Sequence, residues 1–140
     1  MVHARNKGKA AETEFINKFQ SLFPETIRRN LEQVRSGGSD VEGCDPFVIE
    51  LKRVEKLDLN SWWRQVQVAA EQKSALYAQQ YGHTLHVDGS GFISVVGYRQ
   101  SRQPWRFLLP ATLIVSKSEN FIICDEETFI KYVSEHYGLA

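Results

Sequence analysis

Apolar residues recur at every fourth position near the start of the chain. Ala11, Phe15, Phe19 and Phe23 form one stripe, which Ile16 and Leu22 widen. This spacing predicts a helix over residues 6–23, with Asn6 as its N-cap and Pro24 as its stop. The longest helical pattern runs over residues 61–81. Trp63, Val66, Ala69 or Ala70, Leu76 and Tyr77 mark its inner face, Asn60 or Ser61 its cap, and Gly82 its C-terminal stop. A last helix is expected from Asp125 to about Tyr137, with Phe129, Ile130 and Val133 inward. Its Asp125-Glu126-Glu127 start complements the helix dipole, so those acids read as capping. Residues 92–98, 105–109 and 120–124 read as strands. Residues 26–35 carry Ile27, Leu31 and Val34 at a spacing that fits helix or strand. A strand is expected, because Ser36-Gly37-Gly38 then turns tightly into the next segment.

That next segment, Ser39 to Lys52, reads as a β-hairpin. Val41 enters a turn of Gly43, Cys44, Asp45 and Pro46, and Phe47-Val48-Ile49 leaves as a strand. Side chains alternate along a strand, so Phe47, Ile49 and Leu51 share the core face while Glu50 and Lys52 share the exposed one. A hairpin symmetric about Asp45 sets residue 40 opposite residue 50. Directly opposed residues have Cβ atoms about 4.5–5.5 Å apart. Asp40 and Glu50 then converge, with Lys52 beside them.

Two carboxylates that close repel unless a cation neutralises them. Mg²⁺ is commonly held by one or two carboxylates, with waters and substrate phosphate oxygens completing its shell. A neighbouring ammonium can orient water or stabilise charge on a phosphate. The same residues also fit a surface hairpin with an acid pair and a salt bridge. A second acid-x-Lys copy, Glu71-Gln72-Lys73, lies in a helical stretch where i and i+2 point to different faces, and it is discarded.

The totals describe one ordinary domain, residues 1–140, with 42% hydrophobic and 24% charged residues. No run approaches the ~18 apolar residues of a membrane span. The polar, basic start from Met1 to Lys9 does not read as a secretory leader. Cys44 and Cys124 show neither metal-ligand spacing nor a disulfide framework, and a reduced intracellular protein is expected. Net charge is zero but segregated: +3 over residues 1–36, −3 over 37–60, +3 over 61–110 and −3 over 111–140. An acidic centre between basic flanks fits a metal site bordered by phosphate-binding surface, as does chance.

Further candidates lie around this centre. Glu12 borders the apolar stripe of the first helix, either as a solvated flank or as a third acid, while Glu14 points more toward solvent. Arg28, Arg29 and Arg35 are placed for phosphate contact or form a solvated face. Gln65 and Gln67 open the long helix, where a glutamine could reach a water or phosphate. Arg99, Arg102 and Arg106 with Tyr98 and Trp105 form a basic and aromatic cluster suited to backbone contact and stacking, unless Trp105 is a core residue. His83 and His86 lack a third ligand and read as structural or solvated. The Asp88-Gly89-Ser90-Gly91 loop has no following helix and makes a poor phosphate cradle.

Taken in order, these motifs resemble the PD-(D/E)XK nuclease superfamily: a helix with an acid, a turn, an Asp, a short hairpin, Glu-x-Lys and a helix. Lys7-Gly8-Lys9-Ala10-Ala11-Glu12 resembles the opening helix of archaeal-type Holliday-junction resolvases. Gly37-Gly38-Ser39-Asp40-Val41 and Phe47-Val48-Ile49-Glu50-Leu51-Lys52 resemble their metal-binding hairpin. With Arg29-Asn30-Leu31-Glu32-Gln33 and Trp62-Trp63-Arg64-Gln65, the set is similar to small phage-encoded members. The resemblance covers roughly residues 5–70 and extends loosely to Tyr98–Phe107. Ser39 stands where the superfamily's motif has proline. Asp45-Pro46 is a decoy at the hairpin tip, five residues from Glu50.

The resemblance implies an α/β, restriction-endonuclease-like core, a central mixed β-sheet flanked by helices. It implies Asp40 and Glu50 as metal ligands, Lys52 as catalytic lysine, Glu12 as accessory acid and Gln65 as the helical glutamine. The expected cofactor is Mg²⁺, with Mn²⁺ as a substitute. The expected activity is a metal-dependent endonuclease cleaving DNA phosphodiesters, selective for branched DNA and acting as a homodimer. Lys7, Lys9, Arg28, Arg29, Arg35, Arg99, Arg102 and Arg106 would hold the DNA backbone. The rivals are a nuclease for linear duplex, flap or RNA, a non-catalytic nucleic-acid-binding module of the same fold, and an interaction protein with decorative acids. A cytoplasmic location is expected, the host cytoplasm if the protein is phage-encoded.

Overall fold

The computed structural model describes residues 4–31, 40–85, 91–111 and 120–138, with side chains from Ala10 onward. Glu32, Gln33, Arg35, the Ser36–Gly38 turn, Ser39, His86 and Asp88–Ser90 lie outside the described residues, as do the side chains of Asn6, Lys7 and Lys9.

The elements in order are α1 (Ala4–Phe19), a 3₁₀ turn (Gln20–Leu22), β1 (Arg28–Arg29), β2 (Val41–Glu42), β3 (Phe47–Arg53), α2 (Leu59–Tyr81), β4 (Ile93–Arg99), β5 (Arg106–Pro110), β6 (Phe121–Cys124) and α3 (Glu126–His136). A four-stranded mixed sheet runs β3-β4-β5-β6, with β3 and β4 parallel and the rest antiparallel. α2 is the crossover that parallel strands require. The α/β class and the helix-flanked mixed sheet expected from the sequence are those observed.

Strand alternation divides the core into two clusters. Phe47, Ile49, Leu51, Val95, Phe107 and Leu109 face Ala11, Phe15 and Phe19 of α1 and Phe129 and Val133 of α3. Val48, Val96, Tyr98 and Leu108 face Trp62, Trp63, Val66, Ala69 and Ala70 of α2. The sheet is thus sandwiched between α1 with α3 on one side and α2 on the other, each helix burying its apolar stripe. The face bearing Glu50 and Lys52 is therefore not simply exposed. α2 covers it at Val48, and both charged side chains are only partly accessible.

Several expectations need correction. Of residues 26–35, the described 26–31 contribute the two-residue strand β1, which pairs with β2 in a separate two-stranded ribbon, and 32–35 lie outside the described residues. Among the described residues no β2–β3 ladder is formed, and the contact to β3 is made by Asp40, just before β2. α1 begins at Ala4, before Asn6, and α2 begins at Leu59, with Asp58 rather than Asn60 or Ser61 at its N-cap. Trp62 is buried and Leu76 is 55% exposed, since a helix against a flat sheet buries a narrow strip. Ile130 is likewise 39% exposed. Asp125 caps α3 as expected, its carboxylate accepting from the Thr128 N–H at 2.9 Å.

Gly43 and Gly97 hold close approaches in the sheet region. Gly43 has φ +90°, and a Cβ there would lie 2.3 Å from the Thr26 carbonyl oxygen. At Gly97 a Cβ would meet Leu51 Cδ2 at 2.9 Å and Phe107 Cε1 at 3.0 Å, its cross-strand neighbours in the core. Gly82 also has positive φ, +77°, but faces open space. Gly43→Ala should cost roughly 2–4 kcal/mol, because backbone strain adds to a clash with main chain. Gly82→Ala should cost about 1 kcal/mol, from φ alone. Urea unfolding of the two variants checks the difference, and equal costs would contradict it.

Candidate functional site

Asp40 reaches Glu50 through the backbone of β3. Successive residues of a strand present their N–H and C=O groups to opposite edges. The even-numbered positions of β3 bond to β4, as the bonds flanking the strand at Pro46 and Val54 show. Ile49 and Leu51 therefore point to the outer edge, which no strand of the four-stranded sheet occupies. Asp40 fills this edge locally. Its N–H donates to the Ile49 carbonyl at 2.9 Å, and its Oδ2 accepts from the Leu51 N–H at 2.6 Å. Asp40 thus brackets Glu50, as the register of a hairpin symmetric about Asp45 requires. The Leu51 carbonyl leaves the strand on the same edge.

The ribbon behind Asp40 is braced on several sides. The Asn30 N–H donates to the Asp40 carbonyl at 3.0 Å, extending the β1–β2 pairing by one residue. Arg29 Nε donates to Glu12 Oε2 at 2.5 Å, tying α1 to β1, with the Glu12 carboxylate only 13% exposed. At the far end of the turn, Lys73 Nζ meets Asp45 Oδ1 at 2.8 Å, and the Tyr137 hydroxyl donates to the Asp45 carbonyl at 2.6 Å. Asp45 is thereby engaged at the tip, away from the acid pair.

The electrostatics of the pair are unbalanced. Asp40 is 8% exposed. Glu50 is pushed from its ordinary 4.5 up to about 7, first by burial and second by the Asp40 charge, while Lys52 pulls in the opposite direction. Lys52 is thus close enough to act on Glu50 but does not neutralise both acids. One buried and one half-buried carboxylate with one cation leave a deficit of positive charge that a hard divalent ion fits.

The other sequence candidates fall into place as follows. Glu12 is a partner of Arg29. Among the described residues, no group of three or more His, Cys, Asp or Glu side chains is placed to hold a metal. Gln65 is exposed on the outer side of α2. Gln67 is turned inward and lines a small cavity with Ser74 and Ser94. Glu14 is not a solvated acid: its carboxylate meets Arg53 at 2.6 Å and Arg99 at 3.0 Å. Arg28 pairs with Glu42 at 3.1 Å. Tyr98 and Trp105 are buried, at 5% and 2% exposure, so their rings pack in the core and are not stacking surfaces. Arg102 and Arg106 are exposed. Cys44 and Cys124 are both free thiols and buried. A feature that residue patterns passed over is the Leu51 carbonyl, an oxygen on the same strand edge as Asp40. Its direction is implied by strand alternation once the edge that Asp40 occupies is known.

No protein-family model matches the chain, and no curated protein does. Among solved structures, the chain is similar to Hjc, a Holliday junction resolvase from Archaeoglobus fulgidus, at 16% identity and a TM-score of 0.42, covering 94% of this chain and 96% of that one. No helix among the described residues is long and apolar enough to cross a membrane.

The Glu50 carboxyl carries a testable pH signature. Between its ordinary 4.5 and about 7 the folded state holds more protons than the unfolded state. Without divalent ions, stability should therefore fall as pH rises through this window and level off above it. The loss should be on the order of 2 kcal/mol after discounting for partial exposure. Glu50→Gln should flatten the profile and unfold at higher urea at pH 8. Urea titrations from pH 4 to 8 in EDTA decide it, and an unchanged slope in the variant would refute the assignment.

Proposed function

We propose that the chain is a metal-dependent nuclease that hydrolyses DNA phosphodiester bonds, with Asp40, Glu50 and Lys52 as its catalytic group. The observation that carries this reading is the bracketing of Glu50 by Asp40 at the β3 edge, which sets two acids and one lysine together in a partly buried site. The oxygen donors fit a hard cation such as Mg²⁺ or Mn²⁺, which the Asp40 and Glu50 carboxylates would hold with the Leu51 carbonyl. Such a cation, when bound, makes water a stronger nucleophile and offsets the charge of the scissile phosphate.

The protein's own side chains do the rest. Glu50 must be ionised to serve as a donor, so the Mg²⁺ concentration that half-saturates activity should fall as pH rises toward about 7 and its proton leaves more readily. The Lys52 ammonium, two positions along the same strand face, orients the attacking water or stabilises charge developing on the phosphate. The hydrogen bond from the Leu51 N–H keeps the Asp40 carboxylate aimed across the strand edge. Branched DNA as substrate comes from the resemblance of Gly37–Val41 and Phe47–Lys52 to the resolvase hairpin. Symmetric cutting of a junction needs two sites, which a homodimer supplies.

Asp40→Asn and Glu50→Ala should each lower Mg²⁺-dependent cleavage by roughly a hundredfold or more, and Lys52→Ala should do so with metal affinity kept. The assay is a labelled panel of four-way junction, flap, linear duplex, single-stranded DNA and RNA, run with Mg²⁺, Mn²⁺ or EDTA. Circular dichroism confirms that each variant is folded. Undiminished cleavage by Asp40→Asn or Glu50→Ala would sink the proposal. Symmetric cuts confined to the junction would support the resolvase-like reading.

A further inference from the structure

The described lysines and arginines divide into two sets. Lys18, Arg28, Arg29, Arg53, Lys73 and Arg99 each form an ion pair with Glu126, Glu42, Glu12, Glu14, Asp45 and Glu14 respectively. Lys52, Lys56, Arg64, Arg102, Arg106 and Lys131 form none among the described residues. The first five of these gather at one end of the sheet. Lys52 on β3 and Arg106 on β5 are both register partners of Tyr98 on β4, so the three form one row across the sheet. At about 4.8 Å per strand, the backbones of Lys52 and Arg106 lie about 10 Å apart. Trp62 of α2 packs on Tyr98, with ring centres 5.6 Å apart, which sets the first turns of α2 over this row. Arg64 is exposed on those turns, and Lys56 is exposed in the connection just before them.

The β4–β5 loop brings Arg102 to the same end and fixes it there. Gln100 Nε2 donates to the Glu55 carbonyl at 2.9 Å, and the Ser101 N–H donates to Glu55 Oε1 at 3.2 Å. Arg99 Nε donates to the Gln103 carbonyl at 2.9 Å, closing the loop on itself. The exposed Arg102 at its tip has φ +61°, a conformation that a bulky residue adopts only when its surroundings impose it. A pinned loop offers its cation with little backbone entropy left to lose.

We infer that Lys56, Arg64, Arg102 and Arg106 form a phosphate-binding track that leads duplex DNA to Lys52 and the Asp40–Glu50 pair. At this end the α1 face is neutralised, since Glu14 pairs with both Arg53 and Arg99. On the α2 face Lys52, Lys56, Arg64, Arg102 and Arg106 form no ion pair among the described residues, with the Asp125 charge acting on Arg106 from the start of α3, and this excess of cations favours a polyanion. Contacts of this kind hold the backbone without reading sequence. The choice of DNA as ligand rests on the proposed nuclease function, whereas the position of the track rests on the ion-pair map alone.

The test is fluorescence anisotropy of a labelled DNA duplex in EDTA, from 50 to 200 mM salt, with full-length protein. Lys56→Ala, Arg64→Ala, Arg102→Ala and Arg106→Ala should each weaken binding roughly threefold or more and reduce the salt slope by about one. Lys18→Ala and Lys73→Ala, whose cations are already paired, should bind as the parent does. Parent-like binding by the track variants overturns the inference, as does equal weakening by the paired-lysine variants or an absence of binding by the parent at 50 mM salt. Tighter binding of an RNA duplex of the same sequence overturns DNA as the ligand. The cleavage assay separates the two readings. Track-dependent binding without Mg²⁺-dependent cutting keeps the track and rejects the nuclease, and cutting by a protein whose track variants bind normally does the reverse.

Discussion

The hydrogen bond from the Leu51 N–H to the Asp40 carboxylate is the constraint around which the site is built. β3 is the outer strand of its sheet, and an outer edge presents backbone groups that need partners. Asp40 satisfies two of them, one with its own N–H and one with its side chain. The same act that closes the edge brings a second carboxylate beside Glu50. Edge protection and acid pairing are thus one interaction, and disturbing one disturbs the other. The cost appears in the raised Glu50 carboxyl, which burial and the Asp40 charge hold near 7.

The rest of the fold keeps this contact in place from three directions. Below the sheet, α1 and α3 pack an aromatic cluster in which the Phe107 and Phe129 rings stack at 3.8 Å, anchoring the core face of β3 and β5. Above it, α2 covers Val48 but leaves Glu50 and Lys52 partly open. From the side, the Glu12–Arg29 pair fastens the β1–β2 ribbon to α1. Such a pair, with one carboxylate mostly shielded from water, does more to fix position than to add stability. The distribution of charge differs between the two faces near Lys52: on the α1 face Glu14 pairs with Arg53 and Arg99, while on the α2 face Lys52 and Arg106 form no ion pair among the described residues.

Much of this was legible in residue patterns. The fourfold phenylalanine spacing of α1, the Gly82 stop of α2 and the Asp125 cap of α3 are local signals, and local geometry decides them. Strand alternation separated Phe47, Ile49 and Leu51 from Glu50 and Lys52, and counting about Asp45 placed residue 40 against residue 50. That register survives although the ladder behind it does not. Asp40 meets β3 as a single bracket, while Val41 and Glu42 turn away to pair with β1.

What sequence by itself determined is the order of elements, the faces of β3 and the placing of residue 40 against residue 50. The tertiary structure alone decided which charges remain available. Glu14 looked solvated and instead binds two arginines, Arg28 and Arg29 looked open and are paired, and Tyr98 and Trp105 looked like stacking surfaces and are buried. The physical reason is range. Periodicity and capping act over one or two turns, within reach of a pattern. An ion pair such as Arg99 with Glu14 joins residues 85 positions apart, and only the packing of α1 against the sheet brings them to 3.0 Å.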